Sequence, residues 1–226
     1  MTNAPPPQRA HPHAFILAGG EAKRMGGADK ARLLLRGEPL LLHVARALRP
    51  SVSSITVIGR APGAYADLGF DTLADSSPGA GPLSGLHRAL TSLSLSDGLA
   101  LLTPCDLDGL QPAWIDRLIA AATPDALAVA FCSPPTAGDE TTADETTAAP
   151  RSRNPRGWEP LPALYSPRLL PEVCARLARG DAALWRLLDA CGATPAPRPP
   201  PGGRGGGGNP PQDLARAHAP LPSDDP

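Results

Sequence analysis

Residues 14–30, Ala-Phe-Ile-Leu-Ala-Gly-Gly-Glu-Ala-Lys-Arg-Met-Gly-Gly-Ala-Asp-Lys, constrain this chain more than any other stretch. Residues 14–18 form a short apolar run of the kind that becomes a buried strand, and the run breaks straight into Gly19 and Gly20. Lacking a Cβ, these two residues can take backbone dihedrals closed to others and bring N–H groups close against a ligand. Arg24 and Lys30 add two cations to the same loop, placed to offset the charge of a triphosphate. The pattern is that of a phosphate site opening from a strand end. Two common versions are excluded by spacing. Gly27 is followed by Ala28, Asp29 and Lys30 rather than by the Lys-Ser/Thr of a Walker loop, and no Gly-x-Gly-x-x-Gly follows the strand.

Downstream, hydrophobic periodicity alternates between the two regular structures. Residues 32–36 suggest a short strand, with a turn at 37–39. Leu41, Val44, Ala45 and Leu48 recur at helical spacing within 40–48. The β-branched run 55–58, closed by Gly59, predicts a buried strand, and a short helix over 62–68 leads to another strand at 71–74 that delivers Asp75. A crossover helix over 86–95 then leads to the continuous apolar run 99–103, a central parallel strand, with Pro104, Cys105 and Asp106 at its end. Pro112 opens a helix over 112–122 with Trp114, Leu118 and Ile119 towards the core. A strand at 127–131 and helices over 167–179 and 181–190 complete the series. This alternation predicts one α/β domain with a mostly parallel, three-layer, Rossmann-like sheet, in which ligands gather beyond the carboxyl ends of the strands.

Composition sets the limits. With 226 residues, 42% of them hydrophobic, and a formal net charge of −1, the chain can bury a sizeable core but has no general attraction for nucleic acid or anionic membranes. No apolar run approaches the roughly 20 residues that span a bilayer. Residues 1–12, with Pro5, Pro6 and Pro7, lack the apolar stretch of a signal peptide and read as a disordered tail. Cys105, Cys132, Cys174 and Cys191 lie far apart, without a C-x-x-C pair, and so read as thiols of a cytoplasmic protein rather than zinc ligands or disulfides. Cys105 is expected to be a small apolar filler rather than a nucleophile. Trp158 and Trp185 are expected to anchor packing rather than stack on a base. The domain is expected over 13–192. A Thr/Glu-rich insertion at about 133–155 contains no apolar residue larger than alanine between 139 and 148, and a Pro/Gly-rich, mostly disordered tail is expected over 193–226.

Leu17-Ala18-Gly19-Gly20, then Arg24-Met25-Gly26-Gly27, Asp29-Lys30 and Gly37-Glu38-Pro39-Leu40-Leu41, closely resembles the signature of the molybdenum cofactor guanylyltransferases. These belong to a MobA-like nucleotidyltransferase superfamily that includes molybdopterin cytidylyltransferases and nucleotide-sugar pyrophosphorylases. The cytidylyl branch more usually reads Ala-Ala-Gly where this chain has Ala18-Gly19-Gly20. The resemblance continues through Asp75, Gly79-Ala80-Gly81-Pro82-Leu83-Ser84-Gly85, Pro104-Cys105-Asp106 and Glu159-Pro160-Leu161-Pro162-Ala163-Leu164-Tyr165. It implies a nucleotide-diphospho-sugar-transferase-like fold with Leu17, Ala18, Gly19, Gly20, Lys30, Asp75 and Asp106 around the nucleotide. It also implies a magnesium ion on Asp106, a role suited to an ion that takes one or two carboxylates together with phosphate oxygens and water. Asp75 could accept hydrogen bonds from the N1–H and the exocyclic amine of guanine, or it could simply cap a solvated turn.

The implied reaction transfers GMP from GTP to molybdopterin, or the molybdenum cofactor, and releases pyrophosphate. Arg24 and Lys30 would neutralise the leaving group, and partner proteins of cofactor biosynthesis would stand on either side of the step. Two departures from the family stand out. Leu107-Asp108-Gly109 replaces the usual Met/Thr-Pro, leaving Asp108 as a second carboxylate or a mere turn. Asn209 matches only the second asparagine of the family's terminal Asn-x-Asn motif, the first falling on Gly207. The rival readings are a cytidylyl or sugar-phosphate nucleotidyltransferase, and a nucleotide-binding module without turnover.

Overall fold

The computed structural model describes residues 11–19, 29–59, 61–77, 79–107, 109–133 and 154–198. Gly20, Arg24, Asp108, Asn209, most of the Thr/Glu-rich insertion and the two expected tails largely fall outside the described residues.

In chain order the elements are β1 (His13–Leu17), β2 (Leu34–Leu35), β3 (Glu38–Pro39), α1 (Leu40–Leu48), β4 (Ser54–Gly59), β5 (Asp71–Ala74) and α2 (Pro82–Thr91). They continue with β6 (Ala100–Pro104), α3 (Pro112–Ala121), β7 (Ala128–Cys132), β8 (Trp158–Tyr165), α4 (Leu170–Ala178), α5 (Leu184–Ala190) and β9 (Thr194–Pro197). Seven strands form one sheet in the order β5-β4-β1-β6-β8-β7-β9, while β2 and β3 pair separately as a small hairpin. The sheet is parallel except for β8, which runs antiparallel to both β6 and β7.

The two-residue period of the strands sorts their side chains into two cores. Ala14, Ile16, Leu101 and Val129 point to the face covered by α1 and α3, where they meet Leu41, Val44, Leu48, Ile115 and Leu118. Phe15, Ala100, Leu102 and Ala128 point the other way, against Leu83, Leu86 and Leu90 of α2 and the apolar faces of α4 and α5. Helices therefore cover both faces of the sheet, as expected from the near-continuous apolar runs. No helix among the described residues is long and apolar enough to cross a membrane.

Several elements differ from the sequence expectation, among them residues 62–68, where only a 3-10 turn at Ala66–Leu68 forms in place of a helix. Helix α2 starts at Pro82 rather than residue 86, because proline at the first helical position loses no hydrogen bond and its fixed φ suits the helix. Gly85 therefore lies inside α2, where a Cβ would overlap the Leu17 side chain. Residues 32–36 are not one strand: Arg32 ends a 3-10 turn at Lys30–Arg32, and only Leu34–Leu35 form the two-residue strand β2. In α3, Ile115 joins Leu118 in the fully buried layer, while Trp114 stands edge-on to Phe131 with ring centroids 6.3 Å apart. Finally, β9 extends the sheet past residue 192. Its prolines at 195 and 197 are tolerated because, among the described residues, β9 is an edge strand that pairs with β7 alone.

Candidate active site

The chain leaves β1, builds β4 and β5 outward on one side, and then returns to place β6 on β1's other flank. This reversal opens a crevice at the carboxyl ends of β1 and β6, the position where open α/β sheets bind ligands. Leu17 lies opposite Pro104 across the two strands. The Cys105 N–H donates to the Leu17 carbonyl at 3.1 Å, and the Ala18 N–H donates to the Ile58 carbonyl at 2.8 Å, so both loops leave the sheet from fixed points. Above them is a cavity of about 380 Å³ lined by Leu17, Gly19, Lys30, Asp75, Asp106 and Leu161, among others. That volume lies within the usual range for small-molecule sites.

Asp75 follows β5 directly. Its backbone N–H donates to the Gly59 carbonyl at 2.9 Å, which anchors it to the end of β4. Its Oδ1 accepts from the Ser77 N–H at 3.1 Å and from the hydroxyl of Ser84, a fully buried residue of α2. No described residue donates to Oδ2, which would lie 3.8 Å from a Cβ built on Gly19. The carboxylate thus has one oxygen held by protein and one turned to the glycine loop. Oδ1 already serves two donors, which leaves Oδ2 as the oxygen open to a further one.

Lys30 and Asp106 meet in the same cavity, Nζ donating to Oδ2 at 3.0 Å. Both side chains are about 40% exposed, 39% and 41%, so this pair contributes at most ~1 kcal/mol and exchanges readily for other partners. Lys30 is presented by a cap. Asp29 precedes the 3-10 turn, and its Oδ1 accepts from the Ala31 N–H at 3.0 Å. Among the described residues no group of three or more His, Cys, Asp or Glu side chains could hold a metal. A half-exposed carboxylate at the edge of an anion-sized cavity is nevertheless the donor set that magnesium uses when phosphate oxygens complete its shell.

Of the residues singled out in the sequence, Leu17, Gly19, Lys30, Asp75 and Asp106 line this one cavity. Ala18 lies buried beneath it with its N–H already donated to Ile58, so only its carbonyl remains for a ligand. Cys105 is buried, and burial beside the Asp106 carboxylate pushes its thiol up to about 12, which suits a filler and not a nucleophile. Trp158 is buried and donates from Nε1 to Asp189 at 2.7 Å, consistent with a packing anchor. Sequence reasoning did not single out Ser77 and Ser84 as the groups that orient Asp75, nor Leu161 as a wall. The motif placed Ser84 one residue before Gly85, but only its buried position on α2 shows that it faces Asp75.

Residues 14–195 match the model of the MobA-like NTP transferase domain. The chain belongs to that family. It is a nucleotidyltransferase. A Deinococcus radiodurans protein named "Probable molybdenum cofactor guanylyltransferase" is 35% identical over 171 residues, 76% of each chain. The molybdenum cofactor guanylyltransferase of Haemophilus influenzae is 38% identical over 120 residues, which span 52% of this chain and 62% of that one. Among solved structures, molybdopterin-guanine dinucleotide biosynthesis protein A of Archaeoglobus fulgidus superposes with a TM-score of 0.61 at 18% identity, over 91% of this chain and 96% of that one. The 2-C-methyl-D-erythritol 4-phosphate cytidylyltransferase of Thermus thermophilus gives 0.59 at 21% identity, over 90% and 95%. At these identities the structural likeness establishes the fold, which guanylyl and cytidylyl enzymes share.

Proposed function

We propose that this nucleotidyltransferase transfers GMP from GTP to the terminal phosphate of molybdopterin, in the biosynthesis of a guanine dinucleotide cofactor. The observation that carries the proposal is the convergence of Asp75 Oδ2, Lys30 and Asp106 on one cavity at the sheet's switch point. The guanylyltransferase relatives support the choice of nucleotide and acceptor. In this arrangement Asp75 Oδ2 accepts from guanine, whose N1–H and exocyclic amine point the same way. Lys30 leaves Asp106 and turns its ammonium to the β- and γ-phosphates. A phosphate oxygen of the acceptor forms a bond to the α-phosphorus while the α–β bridging bond breaks, and pyrophosphate leaves with the electron pair. The attacking oxygen is already ionised, so no general base is required.

Asp106, released from Lys30, would hold a magnesium ion, which when bound supplies positive charge between the attacking and leaving phosphates. The four cysteines are unpaired, as fits a reducing, cytoplasmic compartment. A pyrophosphate-release assay with GTP, CTP, ATP and UTP in turn, with and without molybdopterin, tests the reading. Release is expected only with GTP and molybdopterin together. Release with CTP instead would move the chain to the cytidylyl branch, and GTP binding without release would make it a binding module.

A further inference from the structure

Lys30 sits on a single 3-10 turn of three residues, Lys30–Arg32, and so short a turn has little stability of its own. Ala31, fully buried, ties it to the core beside α1, and the Asp29 cap ties its first residue; Asp29 is in turn held by a residue 36 positions away. The Tyr65 hydroxyl donates to Asp29 Oδ1 at 3.0 Å, sharing that oxygen with the Ala31 N–H. Tyr65 is 2% exposed, and burial keeps its phenol above the ordinary range, so it stays a donor to the carboxylate.

Further contacts hold the tyrosine in place. The Arg32 guanidinium lies over its ring, 5.3 Å from the centroid. That guanidinium is itself held by both oxygens of Asp67 at 2.8 Å, by the Ala64 carbonyl at 2.7 Å and, more loosely, by Asp29 at 3.6 Å. The Tyr65 N–H donates to Thr72 Oγ1 at 3.3 Å. The ring also lies against Gly59, where an added Cβ would stand 3.1 Å from Cε2. Gly59 is the residue whose carbonyl anchors Asp75. One buried side chain therefore touches both the backbone that carries the proposed base contact and the cap that carries the proposed phosphate contact.

We propose that Tyr65 is a positioning residue for phosphate binding: through its hydroxyl it holds Asp29, and through Asp29 the turn that aims Lys30 into the cavity. The proposal rests on the reading of Lys30 as a phosphate ligand and on no particular base. Inorganic pyrophosphate is therefore the probe, because it reports on Lys30 whichever nucleotide the enzyme uses.

Calorimetric titration of pyrophosphate into the parent protein, Tyr65→Phe, Lys30→Met and the double variant forms a cycle. Tyr65→Phe keeps the buried ring and removes only the hydroxyl, so affinity is expected to fall about tenfold, the scale of a hydrogen bond to a charged group. In the Lys30→Met background the same change is expected to have almost no effect, since the group being aimed is gone. Equal losses in both backgrounds, or no loss in the parent, would overturn the proposal while leaving Lys30 a phosphate ligand. A parent protein that does not bind pyrophosphate would overturn the reading of Lys30 and the proposal together. Amide hydrogen exchange gives a second readout independent of binding. Tyr65→Phe should speed exchange at Ala31 but not in β1 or β6, and uniform acceleration would show that the hydroxyl only supports the fold.

Discussion

The two ends of the sheet each carry a cavity, and the larger one is at the end without convergent chemistry. At the amino ends of the strands about 620 Å³ opens beside His13, Thr56, Asp71, Thr72, Ser92 and Asp97; at the carboxyl ends only about 380 Å³ opens beside Lys30, Asp75 and Asp106. The polar groups differ in how they are arranged. At the amino end His13 is bonded to Ser54 Oγ at 2.5 Å, Thr72 accepts from the Tyr65 N–H, and Asp97 accepts from the Ser94 N–H at 2.7 Å to close a capping box. At the carboxyl end one oxygen of Asp75 and one of Asp106 accept nothing from the described residues, and Lys30 is held only by an exposed, exchangeable pair. His13, Thr72 and Asp97 each spend a bond on a neighbour in the fold, whereas the parallel strand ends point Asp75 and Asp106 into space shared with Lys30. Convergence of charged groups on one space, rather than volume, marks where a ligand belongs.

The largest effect that would test this contrast is at Asp106. Asp106→Asn keeps the size of the side chain and removes the charge proposed to hold magnesium. Turnover is expected to fall at least about a hundredfold, the scale of losing one electrostatic stabiliser. GTP affinity measured without magnesium should change little, because the glycine loop, Lys30 and Asp75 remain. Excess magnesium or manganese should restore part of the rate. Normal turnover in steady-state assays of this variant would remove Asp106 from the metal site.

The carboxyl end was far more legible in the sequence than the contacts that hold it. Gly19, Lys30, Asp75 and Asp106 each follow a strand or turn with a strong local signal, and parallel topology alone brings strand ends together. The central strands were readable because β1 and β6 are buried on both faces and so appear as unbroken apolar runs, and β4 beside them carries a β-branched run. Tyr65 had no such signal: it lies in an irregular segment, and its role depends on reaching Asp29 across 36 positions. Ser84 looked like one polar residue in a helix start, since nothing local shows that its hydroxyl is buried against Asp75. Strand β9 escaped notice because proline argues against a strand, and only its place at the sheet edge removes that objection.

A smaller effect is expected at Asp75. Asp75→Asn can keep an oxygen towards Ser77 and Ser84 while turning its amide towards the glycine loop. A donor then faces the guanine N1–H where an acceptor stood. The preference for GTP over CTP, measured as a ratio of kcat/KM, should fall about tenfold, the effect of one mispaired hydrogen bond. An unchanged ratio would mean that Asp75 caps its turn and does not read the base.

The smallest effect belongs to the amino end, where Asp97 supplies a control. The Ser94 backbone N–H, together with the Ser94 side chain, holds the Asp97 carboxyl below the usual carboxylate range. A carboxylate with a lowered folded pKa adds stability that is present above its unfolded value of about 4 and lost as pH falls through the folded value. Asp97→Asn removes that titration. The variant should therefore melt slightly below the parent at pH 7, and the gap should close as melts are repeated below about pH 4. Its pyrophosphate release at neutral pH should stay within about twofold of the parent, as expected of a surface change away from the chemistry. A large loss of turnover, with melting little changed, would tie the amino-end cavity to catalysis and undo the contrast between the two ends. A melting gap that persists into acid would show that Asp97 acts through its shape in the turn, not through its charge.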